Sequence, residues 1–450
     1  MARDNELAVL DIKKSPTRDF RPNLPRFSDI KPANTLVELR EAFDPAAIMD
    51  PNSKLYVPRH ELALQRLWSD LRERKTPFQG FLCGHRGSGK TTEFFRLLQD
   101  EALQQQYLMV YLTAQDFPVT PHFTDDALLL AIGYGLLEYG ERIGLTSAFR
   151  EKLIGWNRDI VDVYMKTEGV KAGAALKGNM LLALFSSALE ARREWRTEER
   201  LQHKPRVQVL VQLLNQLSDE LRAFTCKPLL VVLDDFEKFD TENFKEMYVR
   251  VFQDGYGTLV QPRFTALYST PVFLRALSNL AIPGDQLYSF PATHLYSLEQ
   301  KRENRPTLQR DNDGYQLISH FVRNRIQNPA LLSETLLEEL ILIGGGLFRE
   351  TARAIAEAAR FASFRQATQI EADDVKRVFD TVKKDHQPRI RGEALKVLRQ
   401  VLDSPVGWVD GVEPFLLSRL VVEYENGDLW VDVRYPLKAY LRSLLTERTP

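Results

Sequence analysis

The stretch Gly80–Phe95, GFLCGHRGSGKTTEFF, constrains this chain more than any other. Within it, Gly84-x-x-x-x-Gly89-Lys90-Thr91 matches the phosphate-cradling pattern G-x-x-x-x-G-K-[ST] at every position. The apolar run Phe81-Leu82-Cys83 enters it as a strand would. Phe94, Phe95, Leu97 and Leu98 leave it at helical spacing. A strand, a glycine bend and a helix are therefore expected. Gly84, Gly87 and Gly89 let the backbone turn tightly, so that successive N–H groups point inward at phosphate oxygens. The candidate phosphate-binding residues are Gly84, His85, Arg86, Gly87, Ser88, Gly89, Lys90, Thr91 and Thr92. The following helix adds its positive N-terminal end. Lys90 brings a mobile point charge for the outer phosphates, and the Thr91 hydroxyl is placed to ligate Mg²⁺.

A second run completes the expected chemistry. Leu229–Leu233 is continuously apolar, as a central parallel strand buried on both faces must be. It ends in Asp234-Asp235. Carboxylates at the end of a buried strand are costly without a partner, and a magnesium–nucleotide is such a partner. Asp234 is the candidate metal ligand. Asp235 is the candidate to orient or deprotonate an attacking water, with Glu237 as a second candidate. The expected cofactors are ATP and Mg²⁺, and the expected activity is that of an ATPase.

Composition sets outer limits. A chain of 450 residues exceeds one ordinary core, so about two to four domains are expected. The formal net charge of −1 argues against a chain globally committed to nucleic acid. The longest apolar runs, such as Met180–Phe185, are too short to span a bilayer, and the N-terminus lacks the apolar core of a secretion signal. A cytoplasmic protein without a membrane partner is the expectation. Cys83 and Cys226 sit at or beside strand-like runs and read as buried small hydrophobes.

The organisation predicted is α/β, with a P-loop parallel-sheet core, a helical lid and a C-terminal winged-helix-like domain. Residues 1–54, rich in proline, read as an extended arm or a partly ordered tail. Residues 55–285 form the core, with a helical insertion at about 146–206. Residues 286–385 form the lid and 386–450 the last domain. There, Asn426-Gly427 between two alternating runs signals a hairpin. From His386 to Pro450, nine Lys/Arg balance nine Asp/Glu, and the hairpin is itself acidic. A packing or protein-binding role is therefore favoured over DNA binding, which remains open.

From Tyr56 to Val433 the chain resembles the AAA+ and STAND P-loop ATPases, with an origin-recognition-like core and lid. The resemblance implies further site residues. Tyr56, Val57 and Arg59, ahead of the first helix, match the segment that helps enclose adenine in those families. Ser269 and Thr270 match the strand end that senses the γ-phosphate. Gly345-Gly346-Leu347-Phe348-Arg349 resembles the lid turn that delivers a sensor arginine, here Arg349. Arg263 and Arg275 flank the third strand pattern, either as arginine fingers or as surface charges. The Asp-Asp pair resembles STAND proteins, where AAA+ motors usually carry Asp-Glu. It implies a slow switch that binds ATP, self-associates or engages a separate effector, in some cases in bacterial defence against phage. A DNA-handling AAA+ ATPase and a non-hydrolysing nucleotide-dependent scaffold are the alternatives.

Overall fold

The computed structural model describes residues 22, 24–117, 119, 123–145, 149–153, 155–156, 197–238, 245–277 and 280–446. Most of the 146–206 insertion and the side chain of Glu237 lie outside the described residues.

Apolar runs with β-branched or aromatic residues become five strands: β1 (Gln79–Gly84), β2 (Leu108–Thr113), β3 (Leu229–Asp234), β4 (Thr265–Pro271) and β5 (Leu287–Phe290). They form one sheet in the order β2-β3-β4-β1-β5, with every pair parallel. All five carboxyl ends therefore share one edge, where α/β sheets take their ligands. β5 lies beyond residue 285, in the stretch assigned from sequence to the lid. It is short, and too little of it alternates to be recognised alone.

Each face of the sheet has its own cover. Leu82, Met109, Tyr111, Leu230, Val232 and Leu267 pack under α2 (Leu62–Glu73) and α3 (Lys90–Gln99). Phe81, Val110, Val231, Leu233, Ala266 and Tyr268 face the opposite way, toward α5 (Asp125–Arg142) and α6 (Thr197–Thr225). A short α4 (Glu101–Gln106) joins α3 to β2. Alternate residues of a strand point to opposite faces, so each strand contributes to both layers.

A second apolar core holds the helices α7 (Asp313–Arg323), α8 (Glu334–Gly344), α9 (Phe348–Phe364) and α10 (Ala372–His386). α8 ends where glycine permits: Gly345 caps it at φ +64° and Gly346 follows at +76°. The described part of the arm, from residue 24, contains a helix. Thr35 caps this helix, α1 (Leu36–Ala42), whose Leu36, Leu39 and Ala42 join this second core.

The chain closes with α11 (Glu393–Asp403), α12 (Glu413–Leu417), a hairpin of β6 (Val421–Asn426) and β7 (Asp428–Val433), and α13 (Tyr435–Thr446). Gly427 makes the turn at φ +92°. The hairpin serves both cores. Val421, Val431 and Val433 pack with the sheet, whereas Val422, Tyr424 and Trp430 pack with the second core. Cys83 is buried as expected, but Cys226 is exposed in the turn after α6. That turn places Cys226 at φ +59°, outside the strand the apolar neighbours implied. No described helix is long and apolar enough to cross a membrane.

Candidate functional site

The glycine bend forms between β1 and α3 as its chemistry requires. Gly87 and Gly89 have φ of +87° and +104°, values that L side chains rarely adopt. The Lys90 ammonium donates to the carbonyl oxygens of Gly84 and His85, each at 2.9 Å. The Ser88 hydroxyl donates to His85 O at 2.9 Å. These bonds fold the bend onto itself, with Lys90 and Ser88 buried.

The carboxylate pair lies on the same sheet edge. Asp234, the expected metal ligand, is fully buried and does not line the cavity between bend and α9; its Oδ1 accepts the Asp235 N–H at 2.7 Å and its Oδ2 the Tyr111 hydroxyl at 3.2 Å. Asp235 differs. It sits at φ +71°, a conformation that Asp adopts more readily than most residues. Its Oδ2 accepts from Thr113 Oγ1 at 3.0 Å and pairs with Lys238, while its Oδ1 is buried with no hydrogen-bond partner. A buried orphan oxygen costs about 1–3 kcal/mol unless a ligand satisfies it.

A cavity of about 400 Å³ joins these parts. Its walls include Gly87, Gly89, Lys90, Thr91, Thr92, Asp235 and Arg349. The lid reaches the bend directly. The Arg349 N–H donates to Gly87 O at 3.3 Å, and a Cβ on Gly87 would stand 2.6 Å from Arg349 Cβ. The volume falls within the range for small-molecule and cofactor sites.

Other expected residues lie elsewhere. Neither Ser269 nor Thr270 lines this cavity; both are buried, and Thr270 Oγ1 donates to Leu82 O across the sheet at 3.3 Å. Tyr56, Val57 and Arg59 do not line it either. Tyr56 donates to Glu93 Oε1 at 2.5 Å and accepts from Arg96 at 3.0 Å. Val57 borders a separate cavity between α2 and α7. Arg59 is 4% exposed and works behind the bend: it donates to Ser88 O and to Pro291 O, and its Cζ lies 4.2 Å over the Phe290 ring. Arg275 is committed inside the chain, ion-paired to Glu423 at 2.9 Å, while Arg263 is exposed beside Asp219. Gly84, His85, Arg86 and Ser88 belong to the bend but not to the cavity wall.

Sequence reasoning missed two contributors. Lys238, one turn past Asp235, was visible only as an i+3 spacing. Thr113 closes β2, and no local pattern marks it. His85, expected at the phosphates, instead holds the C-terminal hairpin: the Glu423 N–H donates to His85 Nε2 at 2.8 Å. Burial, reinforced by the charge of Lys90, lowers His85 to about 3, so the ring stays neutral and accepts that bond.

The residues present fit a divalent cation. Thr91 and Asp235 are hard oxygen donors that line the same cavity, and Asp235 carries a buried oxygen without a hydrogen-bond partner.

No family model and no curated protein matches the chain. Similar solved structures include the ORC1 protein of Aeropyrum pernix in complex with DNA, at 14% identity over 90% of this chain and 98% of that one, TM-score 0.37. Cdc6p of Pyrobaculum aerophilum follows at 15% over 89% and 99%, TM-score 0.35. The RuvB Holliday junction branch migration motor of Thermotoga maritima follows at 12% over 86% and 93%, TM-score 0.31. Likeness at this level carries no functional conclusion.

Proposed function

We propose that this protein is a slow regulatory ATPase whose lid reads the nucleotide bound at the glycine bend. The observation that carries the reading is the shared cavity: backbone donors of the bend, Lys90, Asp235 and lid residue Arg349 all border one space. The bend binds the triphosphate through N–H groups and Lys90. Thr91 and Asp235 would hold a magnesium ion, with Asp234 behind them at the strand end, and the ion would supply neutralisation of phosphate charge. Asp235 orients the attacking water. Lys238 competes with that water for the same carboxylate, which suits slow turnover. Arg349 gains a phosphate partner only when the lid is closed, which provides the differential affinity a switch requires.

Self-association or engagement of a separate effector is the proposed output, and anti-phage defence the proposed setting, on family likeness alone. The decisive measurement is ATP binding and hydrolysis in the intact chain beside Lys90→Ala, Asp235→Asn and Arg349→Ala. Lys90→Ala abolishes binding, Asp235→Asn retains ATP without hydrolysing it, and Arg349→Ala uncouples binding from any change of assembly. Hydrolysis that survives Lys90→Ala refutes the site.

One observation keeps a DNA-handling role as the second reading. Glu423 and Asp432, two of the acids that make the hairpin look acidic, are fully buried and paired with Arg275 and Lys438. Of the hairpin's four acids only Glu425 and Asp428 are exposed, so its surface is less acidic than its composition; the wider count stays even, because Arg434 and Lys438 are buried too. DNA-stimulated hydrolysis with a steep salt dependence would favour this reading.

A further inference from the structure

The bend accounts for the phosphates but not for the nucleoside. The segment expected to enclose the base is engaged elsewhere, with Tyr56 on Glu93 and Arg96 and Arg59 beneath the bend. Part of the cavity wall comes instead from the N-terminal arm: Pro45, Ala47, Ile48 and Met49, half-buried and apolar, together with the lid residues Phe348 and Ala352.

The arm is held from both sides. α1 and Phe43 are built into the lid core, with Phe43 edge-on to Phe321 at 6.0 Å. Ile48 and Phe27 pack on the sheet layer, with Phe27 5.5 Å from Phe95. The backbone donors of this stretch are already spent. The Ala46 N–H goes to Asp44 Oδ1 at 2.9 Å, Ala47 N–H to Asp44 O at 3.0 Å, and Ile48 N–H to Ser28 Oγ at 3.0 Å. The wall offers shape and apolar surface, with no amide from residues 46–48 left to read a base edge.

We propose that residues 45–49 form the base-binding wall of the cleft, and that they take the nucleoside through their apolar side chains. The triphosphate chain then selects the ligand, and the base is read loosely. This rests on the reading that the glycine bend holds phosphates. An apolar pocket separates similar ligands by about 10–200-fold, whereas a pocket with dedicated hydrogen bonds separates them by about 10⁴-fold.

The test uses the full chain and titrates ATP, GTP and inorganic tripolyphosphate by calorimetry. In the wild type, ATP and GTP bind within about tenfold of each other, in keeping with a wall that carries no hydrogen-bond code. Ala47→Trp, which fills the wall, weakens both nucleotides at least about tenfold, or ~1.4 kcal/mol. It leaves tripolyphosphate within about twofold, a difference of ~0.4 kcal/mol. Met49→Ser weakens both nucleotides in the same selective way. Equal losses for tripolyphosphate and nucleotide, or no loss for nucleotide, overturn the proposal. So does rejection of GTP by about 10⁴-fold, the mark of a hydrogen-bond code. The bend reading is checked separately: if Lys90→Ala leaves tripolyphosphate binding intact, that reading fails and the wall falls with it.

Discussion

The contact between Gly87 and Arg349 can be tested by a double-mutant cycle. Two separable costs attach to Gly87→Ala. The first is conformational: at φ +87° an alanine pays about 1–2 kcal/mol for the left-handed region. The second is steric: the new Cβ would lie 2.6 Å from Arg349 Cβ, nearer than real Cβ atoms approach, so bend and lid must part. Forced overpacking of this kind costs about 1–3 kcal/mol. The single variant should therefore lose roughly 2–5 kcal/mol in urea denaturation of the apo chain. Arg349→Gly removes the opposing Cβ and, near a helix start, costs up to ~1 kcal/mol in propensity. Combined with it, Gly87→Ala retains only the conformational cost. The coupling energy should be about 1–3 kcal/mol, with the double variant more stable than the sum of the singles predicts. Additivity within about 0.5 kcal/mol would refute the seating of the lid on the bend, because residues not in contact behave that way.

The buried ion pairs predict the rest. Burial opposes ionisation of Glu350, but Arg434, Arg419 and Arg353 outweigh it and bring its carboxyl from 4.5 to about 2. Its contribution, roughly 3 kcal/mol by linkage, is complete above pH 4.5 and lost as pH falls toward 2. Glu350→Gln should flatten that limb of a denaturation-versus-pH curve. Glu423 runs the other way. Burial raises it to about 7 against the pull of Arg275, so its share is present below pH 4.5 and lost as pH rises through 7. Arg275→Leu leaves that carboxylate buried and alone, and should cost about 3–5 kcal/mol at pH 8. Adding Glu423→Gln should restore most of the loss; no restoration would mean that Arg275 acts through some other partner.

Local chemistry made half of the site legible. Glycine spacing announces a bend, and an unbroken aliphatic run ending in two aspartates announces a buried strand with an acidic tip. Both are written within about ten residues of chain, where backbone conformation is decided. Gly345-Gly346 before Arg349 was legible for the same reason. The roles of Arg59 and Arg275 were not. Each depends on contacts more than 100 residues away, to Pro291 in one case and Glu423 in the other. The proline-rich arm hid its helix in another way. Proline frequency reports a lack of long helix, but α1 needs only seven residues and one threonine cap. Only half of the hairpin's acidity is at the surface, because both of its faces are covered and Glu423 and Asp432, on opposite faces, are buried while Glu425 and Asp428 stay exposed.

The seating of the C-terminal hairpin has a mechanical consequence. One pair of strands forms part of two cores at once, and its backbone is tied both to His85 in the bend and, through the Tyr424 hydroxyl, to Gly345 O in the lid turn at 3.0 Å. A swing of the second core away from the sheet would therefore strip one apolar face of that pair bare, and the hairpin resists any such parting.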